Sequence, residues 1–382
     1  MVQNKTIGVV TGSRAEYGIM KNVIKYINEA SDLNLVLFVT GSHLLPQYGN
    51  TYTEIENDGF TINEKVQVIP ESDNDIGICK SMGQTMGDFA DAFNKYNVDI
   101  LLILGDRYEI FAVASTAYMM KIPIAHISGG DSTEGALDEA LRHSITKMSH
   151  IHFVTNEVAK NRVIQLGENP ENVFLTGNPS LDGIHDYNFL SKDEISNKVG
   201  IKLTEKIIMV TYHPETLISD SNNSEITPLI DALSNLDNDF SIIFTGTNSD
   251  AGGNEITKRI QNFVDSRDNT AMVDSLGHLG YMSAVKMADL VVGNSSSGLA
   301  EAPSLKTPTV NIGNRQKGRV CADSVISVSN NSKDISKAID KALSIDCSNI
   351  NNPYEFPNSS ASIVEILRKI DTPNDLLRKT FF

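Results

Sequence analysis

One stretch of the chain concentrates groups that can move protons. It runs His126-Ile127-Ser128-Gly129-Gly130-Asp131 and continues Ser132-Thr133-Glu134-Gly135-Ala136-Leu137-Asp138-Glu139-Ala140-Leu141-Arg142-His143. Carboxylates that share a site separate in pKa and so divide acid and base roles. Read as helical from Glu134, the segment puts Glu134, Asp138 and Arg142 on one face at i, i+4 spacing. The plain alternative is a surface ion-pair ladder, worth ~0.3–0.5 kcal/mol per pair. Two features favour chemistry. The acids follow a strand end with two glycines, and Gly105-Asp106-Arg107 follows the apolar run Ile100–Leu104, so Asp106 lies at the end of a neighbouring strand. A helix N-cap is the competing role for Asp106. His126 and His143 lack a His-x₃-His or Cys partner, so they read as hydrogen-bonded histidines and no metal site is expected.

Other strand ends suit an anion. Gly293-Asn294-Ser295-Ser296-Ser297-Gly298-Leu299-Ala300-Glu301 follows an apolar strand and precedes a helix start. Such a turn offers backbone N–H groups, small hydroxyls and a positive helix end, which suits phosphate, although a plain capped helix has the same pattern. Glu301, about one turn on, is placed to take sugar hydroxyls. Thr11-Gly12-Ser13-Arg14 is a second candidate phosphate turn with Arg14 as clamp. It is not G-x-G-x-x-G, so a dinucleotide fingerprint is unsupported. His213 in Tyr212-His213-Pro214-Glu215 is a candidate phosphate contact or acid. The loop Thr245–Gly253 carries Asn248, and Arg315, Lys317 and Arg319 form a basic loop after another strand.

These residues need rigid elements beneath them. Strand-like runs are Thr6–Thr11, Leu33–Thr40, Asp99–Leu104, Pro123–Ile127, Ile151–Val154 and Val173–Thr176, then Lys206–Thr211, Phe240–Thr245, Thr270–Val273, Leu290–Val292 and Thr309–Ile312. Between them Ile19, Met20, Val23, Ile24 and Ile27 recur at helical spacing, as do Met82, Met86, Phe89 and Phe93. Helix-like runs also lie near Asn223–Leu236 and Glu255–Phe263. The βαβ rhythm implies α/β architecture with parallel, doubly wound sheets. It breaks near Gly177-Asn178-Pro179-Ser180 and across the polar, loop-rich Tyr187–Gly200. Two Rossmann-like domains are expected, 1–177 and 178–359, with a C-terminal helix at about 360–382 packing back on the first. Ligands of such sheets lie beyond the strands' carboxyl ends, and two domains facing each other that way make an interdomain cleft.

The chain has 382 residues, a net charge of −16 and 40% hydrophobic content. The acidity argues against nucleic acid and anionic membrane as general partners, so an anionic ligand must be held by local arginines and backbone dipoles. Scattered Cys79, Cys321 and Cys347 fit a reducing compartment. No apolar stretch approaches the ~20 residues of a spanning helix. A cytoplasmic location is expected.

The blocks TGSRAEY, GSHLLPQYGNTYTEI, GDRYE, HISGG–LDEALRHSITKMSHIH, YHPET, NSDAGG, GNSSSGLAE and GNRQKGR together resemble the UDP-N-acetylglucosamine 2-epimerase family, more closely its hydrolysing branch of sialic-acid and related pathways. The resemblance covers nearly the whole chain and is specific in the order and spacing of its blocks. It implies a GT-B-like fold, no metal and no nicotinamide cofactor, a UDP-sugar substrate, and a homodimer or homotetramer. It also implies release of UDP from UDP-GlcNAc through a 2-acetamidoglucal that hydrates to N-acetylmannosamine. Asp106 and Asp138 fall on family catalytic carboxylates. Arg14, His213, Ser295, Ser296 and Arg315 fall on the nucleotide diphosphate site, Glu301 on the residue for the ribose hydroxyls, and Asn248 on a sugar or nucleotide contact. The family usually carries Glu where this chain has Ser128. Glu134 or Asp131 is expected to replace it.

Overall fold

The structure is a computed structural model that describes residues 4–46, 49–68, 75–134, 136–214, 225–246 and 253–382. The chain forms two compact units. One comprises Met1–Asp131, Asp138–Asp182 and Phe356–Phe382; the other comprises Ser132–Leu137 and Gly183–Glu355.

In chain order the first unit contains β1 (Lys5–Thr11), α1 (Arg14–Glu29), β2 (Leu33–Val39), α2 (Tyr52–Asn57), β3 (Glu64–Lys65), α3 (Asp75–Tyr96), β4 (Ile100–Leu104), α4 (Tyr108–Met119), β5 (Ile124–Ile127), α5 (Asp138–Met148), β6 (Ile151–Val154), α6 (Glu157–Gln165) and β7 (Val173–Leu175). The sheet order is β3-β2-β1-β4-β5-β6-β7, and every pairing is parallel. Parallel sheets are covered on both faces, which is why β4 is an unbroken Ile-Leu-Leu-Ile-Leu run, all buried. Each such side chain contributes roughly 1.5–3 kcal/mol relative to exposure.

Ser13 caps α1 by accepting from the Glu16 N–H, and α1 buries Tyr17, Met20, Val23, Ile24 and Ile27. α13 (Ser359–Arg368), late in the chain, adds Ile363, Val364 and Leu367 to the same core. On α3 the buried stripe is Ser81, Thr85, Phe89, Ala92 and Phe93, and Met86 stays exposed. Small residues at the start of that helix take the inward positions expected for methionines.

The second unit contains α7 (Lys192–Val199), β8 (Lys206–Thr211), α8 (Thr227–Ser234), β9 (Phe240–Thr245), α9 (Gly253–Ser266), β10 (Thr270–Val273), α10 (Gly277–Met287), β11 (Leu290–Gly293), α11 (Ser297–Ala300), β12 (Thr309–Ile312), β13 (Val325–Val328) and α12 (Ser332–Ala342). Its sheet order is β10-β9-β8-β11-β12-β13, again parallel throughout. Its core packs Ile208, Val210, Phe244 and Val292 against Leu229, Ile260 and Ile339 from three helices.

Three readings of the sequence change. Tyr187–Gly200 is not all loop: Ser191 and Glu194 form a reciprocal capping box that starts α7, and Gly200 ends it at φ 76°. The strands β3 and β13 carry no strong pattern; one has two polar residues, and the other keeps its side chains mostly half-exposed at a sheet edge. Most consequentially, α5 begins at Asp138 and not at Glu134. Glu134, Asp138 and Arg142 therefore do not share one helix face.

Candidate active site

The first unit gathers its polar residues where β4 and β5 end. Gly105 donates its N–H to the Ile127 carbonyl at 3.2 Å. Its own carbonyl lies 2.8 Å from His126 Nε2, which fixes the proton on that nitrogen. His126 Nδ1 then accepts from Thr146 Oγ1 at 3.3 Å. Burial pushes the His126 pKa down to about 3, so the ring is neutral and serves as a clamp between two strand-end turns.

Asp106 follows this turn and pairs with Arg142 through Nη2. Arg142 is only 2% exposed. Its Nη1 donates to the Asp131 carbonyl at 2.8 Å and lies 3.5 Å from Glu139 Oε2. Glu139 Oε1 in turn sits 3.1 Å from His143 Nε2. One buried guanidinium thus joins the turn after β4, the turn after β5 and the first turns of α5. A forked cation with five N–H donors can do this; an ammonium cannot. Asp138 opens α5 one turn before Arg142, on the same face, and is half-buried.

The structure places Asp131 and Glu134 differently from these two aspartates. Asp131 is buried, and its Oδ1 accepts from Thr155 Oγ1 at 2.8 Å and Asn156 Nδ2 at 3.3 Å. Asn156 is the N-cap of α6, so this carboxylate anchors a helix start. The preceding Gly130 has φ 78°, and a Cβ there would collide with the Ala159 carbonyl, which explains a glycine at that point. Ser128, at the position where the resemblance leads one to expect Glu, adopts φ 65°, a left-handed conformation uncommon outside glycine, and its N–H donates to the Phe153 carbonyl at 2.9 Å. Glu134 belongs to the second unit, where its N–H donates to the Lys317 carbonyl at 3.1 Å. Arg319 Nε also donates to the Ser132 carbonyl at 3.2 Å. The basic loop after β12 therefore holds the segment that sequence periodicity reads as the start of α5.

In the second unit Asn294 organises the strand ends. It is fully buried. Its Oδ1 accepts from the His213 N–H at 2.7 Å, and its Nδ2 donates to the His213 carbonyl at 2.8 Å. Its own carbonyl accepts from Gln316 Nε2 at 2.9 Å and Arg315 Nη1 at 3.4 Å. The turns after β8, β11 and β12 meet on this one residue, through its side chain and its backbone carbonyl, which brings His213, Ser295, Ser296 and Arg315 into one neighbourhood. Ser296 precedes α11, which is a single turn, so the expected helix end is short. Glu301 closes that turn and is 7% exposed. Arg14 opens α1 in the first unit. Asn248 lies outside the described residues.

Sequence reasoning did not single out Arg142 as a hub, nor Asn294 or Gln316 as scaffolding. The signals were an arginine four residues after Asp138 and an Asn–Ser pair at a strand end. Among the described residues no group of three His, Cys, Asp or Glu side chains is placed to hold a metal ion, and no helix is long and apolar enough to cross a membrane.

Two doubly wound parallel sheets, with polar residues gathered at strand carboxyl ends, define an α/β protein of the GT-B-like class. The model of the family described as UDP-N-acetylglucosamine 2-epimerase matches residues 25–368, and the chain belongs to that family of enzymes. It is 40% identical to the GDP/UDP-N,N'-diacetylbacillosamine 2-epimerase (hydrolyzing) of Campylobacter jejuni, over 89% of this chain and 88% of that one. It is 39% identical to polysialic acid biosynthesis protein P7 of Escherichia coli, over 95% and 94% of the two chains. The crystal structure of UDP-GlcNAc 2-epimerase from Neisseria meningitidis bound to UDP-GlcNAc matches the fold with a TM-score of 0.81 at 19% identity, covering 95% of this chain and 100% of that one.

Proposed function

We propose that this enzyme is a hydrolysing 2-epimerase of a UDP-activated 2-acetamido sugar, with UDP-GlcNAc as the first substrate to test. The observation that carries the reading is the Arg142 hub, which fixes Asp106 at the end of β4 close to the helix that begins with Asp138. Elimination and hydration need such carboxyl groups held in a set geometry.

In the first step a carboxylate takes the proton from C2. The C2–H electron pair forms the C1=C2 double bond, the C1–O bond breaks, and its electrons leave with UDP. In the second step water adds its hydroxyl to C1 while an acid delivers a proton to C2 from the opposite face, giving the 2-epimeric free sugar. Asp106 and Asp138 are the proposed proton carriers. Glu134 is the proposed replacement for the carboxylate absent at Ser128, because Asp131 Oδ1 is already engaged by Thr155 and Asn156. Arg14, His213, Ser295, Ser296 and Arg315 would stabilise the charge that develops on the leaving diphosphate. Glu301 would take the ribose hydroxyls, and Asn248 would contact the sugar or the nucleotide.

A second reading keeps the reaction and changes the sugar to a 4-acetamido-6-deoxy relative. The 40% identity to the diacetylbacillosamine enzyme supports it. Incubation of each UDP-sugar with the protein in deuterated water, followed by proton NMR, tests both. Release of UDP with deuterium at C2 of the free epimer supports the reaction, and the sugar that turns over faster gives the substrate. Deuterated UDP-linked epimer, or no turnover of either sugar, overturns the hydrolysing assignment.

A further inference from the structure

Three adjacent strand-end turns of the seven-stranded sheet close over two buried acids that the proposed chemistry does not use. Glu16, in the first turn of α1, is 5% exposed; Glu109, in the first turn of α4, is 2% exposed. The Gly12 N–H donates to Glu16 Oε2 at 2.7 Å. Arg107 Nε donates to Glu109 Oε1 at 2.8 Å. The remaining oxygens, Glu16 Oε1 and Glu109 Oε2, are buried with no hydrogen-bond partner among the described residues.

A Cβ on Gly12 would lie 3.3 Å from Glu109 Oε1 and 3.5 Å from Glu16 Oε2, so both carboxyl heads border one small space. The turn after β2 completes the enclosure. Gly41 has φ 58°, and its Cβ would lie 2.6 Å from the Gly12 carbonyl and 3.3 Å from Glu109 Oε1. Ser42 Oγ donates to that same Gly12 carbonyl at 3.1 Å.

The charged and titratable groups around this space come from three elements. Glu16 and Arg14 belong to α1, Arg107 and Glu109 to the start of α4, and His43 to the turn after β2. Burial pushes His43 down to about 4, and its nitrogens face Thr11 Oγ1 and Thr51 Oγ1, so it is neutral. Arg107 is the cation bonded to Glu109. Two neighbouring buried carboxyls beside one bonded counter-charge do not both ionise.

We infer that Glu16 keeps its proton beside Glu109 and that the two side chains, as a pair, position the Gly12 turn and Arg107 beside the candidate site. Glu109 is the carboxylate bound to Arg107. The proton sits on Glu16 Oε1, because Oε2 accepts from Gly12. Burial, reinforced by the Glu109 charge, raises the Glu16 pKa to about 8. Losing that proton would put a second negative charge under a turn whose neighbours are Arg14 and Asp106.

Infrared spectroscopy of the full chain tests the Glu16 proton without reference to any substrate. Near neutral pH the wild-type spectrum should contain a protonated-carboxyl band that shifts in deuterated water, disappears in Glu16→Gln, and titrates away as pH rises from about 7 to about 9. A spectrum unchanged by Glu16→Gln overturns the inference. If that variant does not fold, the wild-type titration decides alone, and a missing carboxyl transition in this range overturns it equally.

The kinetic consequence rests on the proposed epimerase reading. The KM should rise as pH passes about 8 in the wild type and lose that rise in Glu16→Gln. An infrared band with an unaltered KM profile overturns the positioning role. Absence of turnover with every UDP-sugar overturns the proposed function and leaves the infrared test to judge the proton.

Discussion

Glu134 and Lys317 are joined twice. The Glu134 N–H donates to the Lys317 carbonyl at 3.1 Å, and Lys317 Nζ lies 3.0 Å from Glu134 Oε2. The side chains are 49% and 63% exposed, so the ion pair itself is worth little, ~0–1 kcal/mol. Glu134→Gln keeps the backbone bond and should leave the melting temperature nearly unchanged. Its turnover should fall about 10²–10⁴-fold, the usual loss on removing an acid–base group. Turnover near wild type would take Glu134 out of the mechanism.

Asp106→Asn behaves differently, because it removes the carboxylate from Arg142 Nη2 and leaves Glu139, 3.5 Å from Nη1, as a counter-charge. A loss of about 1–3 kcal/mol of stability is expected, measured by urea unfolding, together with the loss of turnover. Arg142→Lys should not rescue either property. An ammonium cannot bridge the Asp106 carboxylate and the Asp131 carbonyl in one plane. A lysine variant with full activity would show that charge alone suffices.

Glu301 offers a test of nucleotide binding separate from chemistry. Glu301→Gln should weaken UDP binding about tenfold, or ~1.4 kcal/mol, in a calorimetric titration. Its kcat should change less than its KM, as expected of a group that binds ground state and transition state alike. An equal fall in kcat and kcat/KM would place Glu301 at the reacting centre.

Stability should fall steeply in acid. Burial lowers the pKa of His43 to about 4, of His126 to about 3 and of His150 to about 4. A histidine with a depressed folded value binds fewer protons folded than unfolded. Its contribution is complete above the unfolded value of about 6.5 and is lost as pH falls toward the folded value. Each ring adds up to about 1.4 kcal/mol per pH unit to that slope. Denaturant midpoints measured from about pH 7 down to about pH 4 check it; a flat profile would mean that the rings take up protons equally in the folded and the unfolded chain.

Much of this architecture is legible along the chain. Ile100–Leu104 reads as a buried strand, and the helical spacing of Ile19, Met20, Val23, Ile24 and Ile27 marks the helix that is α1. The positions of Asp106, His213, Ser295 and Arg315 at strand ends follow from the same alternation. The start of α5 does not, because the residues that hold Ser132 and Glu134 are Arg319 and Lys317, far along the sequence. Arg142 is hidden for a related reason. Its i+4 spacing from Asp138 fits a solvated ladder as well as a buried hub, and burial is set by tertiary packing. Acids such as Glu16 and Glu109 in first helical turns read as ordinary partners of the helix dipole. Their enclosure depends on Gly41, from another strand end.

The six residues Ser132–Leu137 have a practical corollary for anyone who wishes to dissect or recombine this enzyme. Because they belong with Gly183–Glu355 while their flanks do not, no uninterrupted gene fragment encodes either unit whole. A chimaera that exchanges one unit for a relative's must graft several separate pieces, and a single-cut hybrid joined between Leu137 and Arg315 will pair the basic loop of one parent with the Glu134 segment of the other.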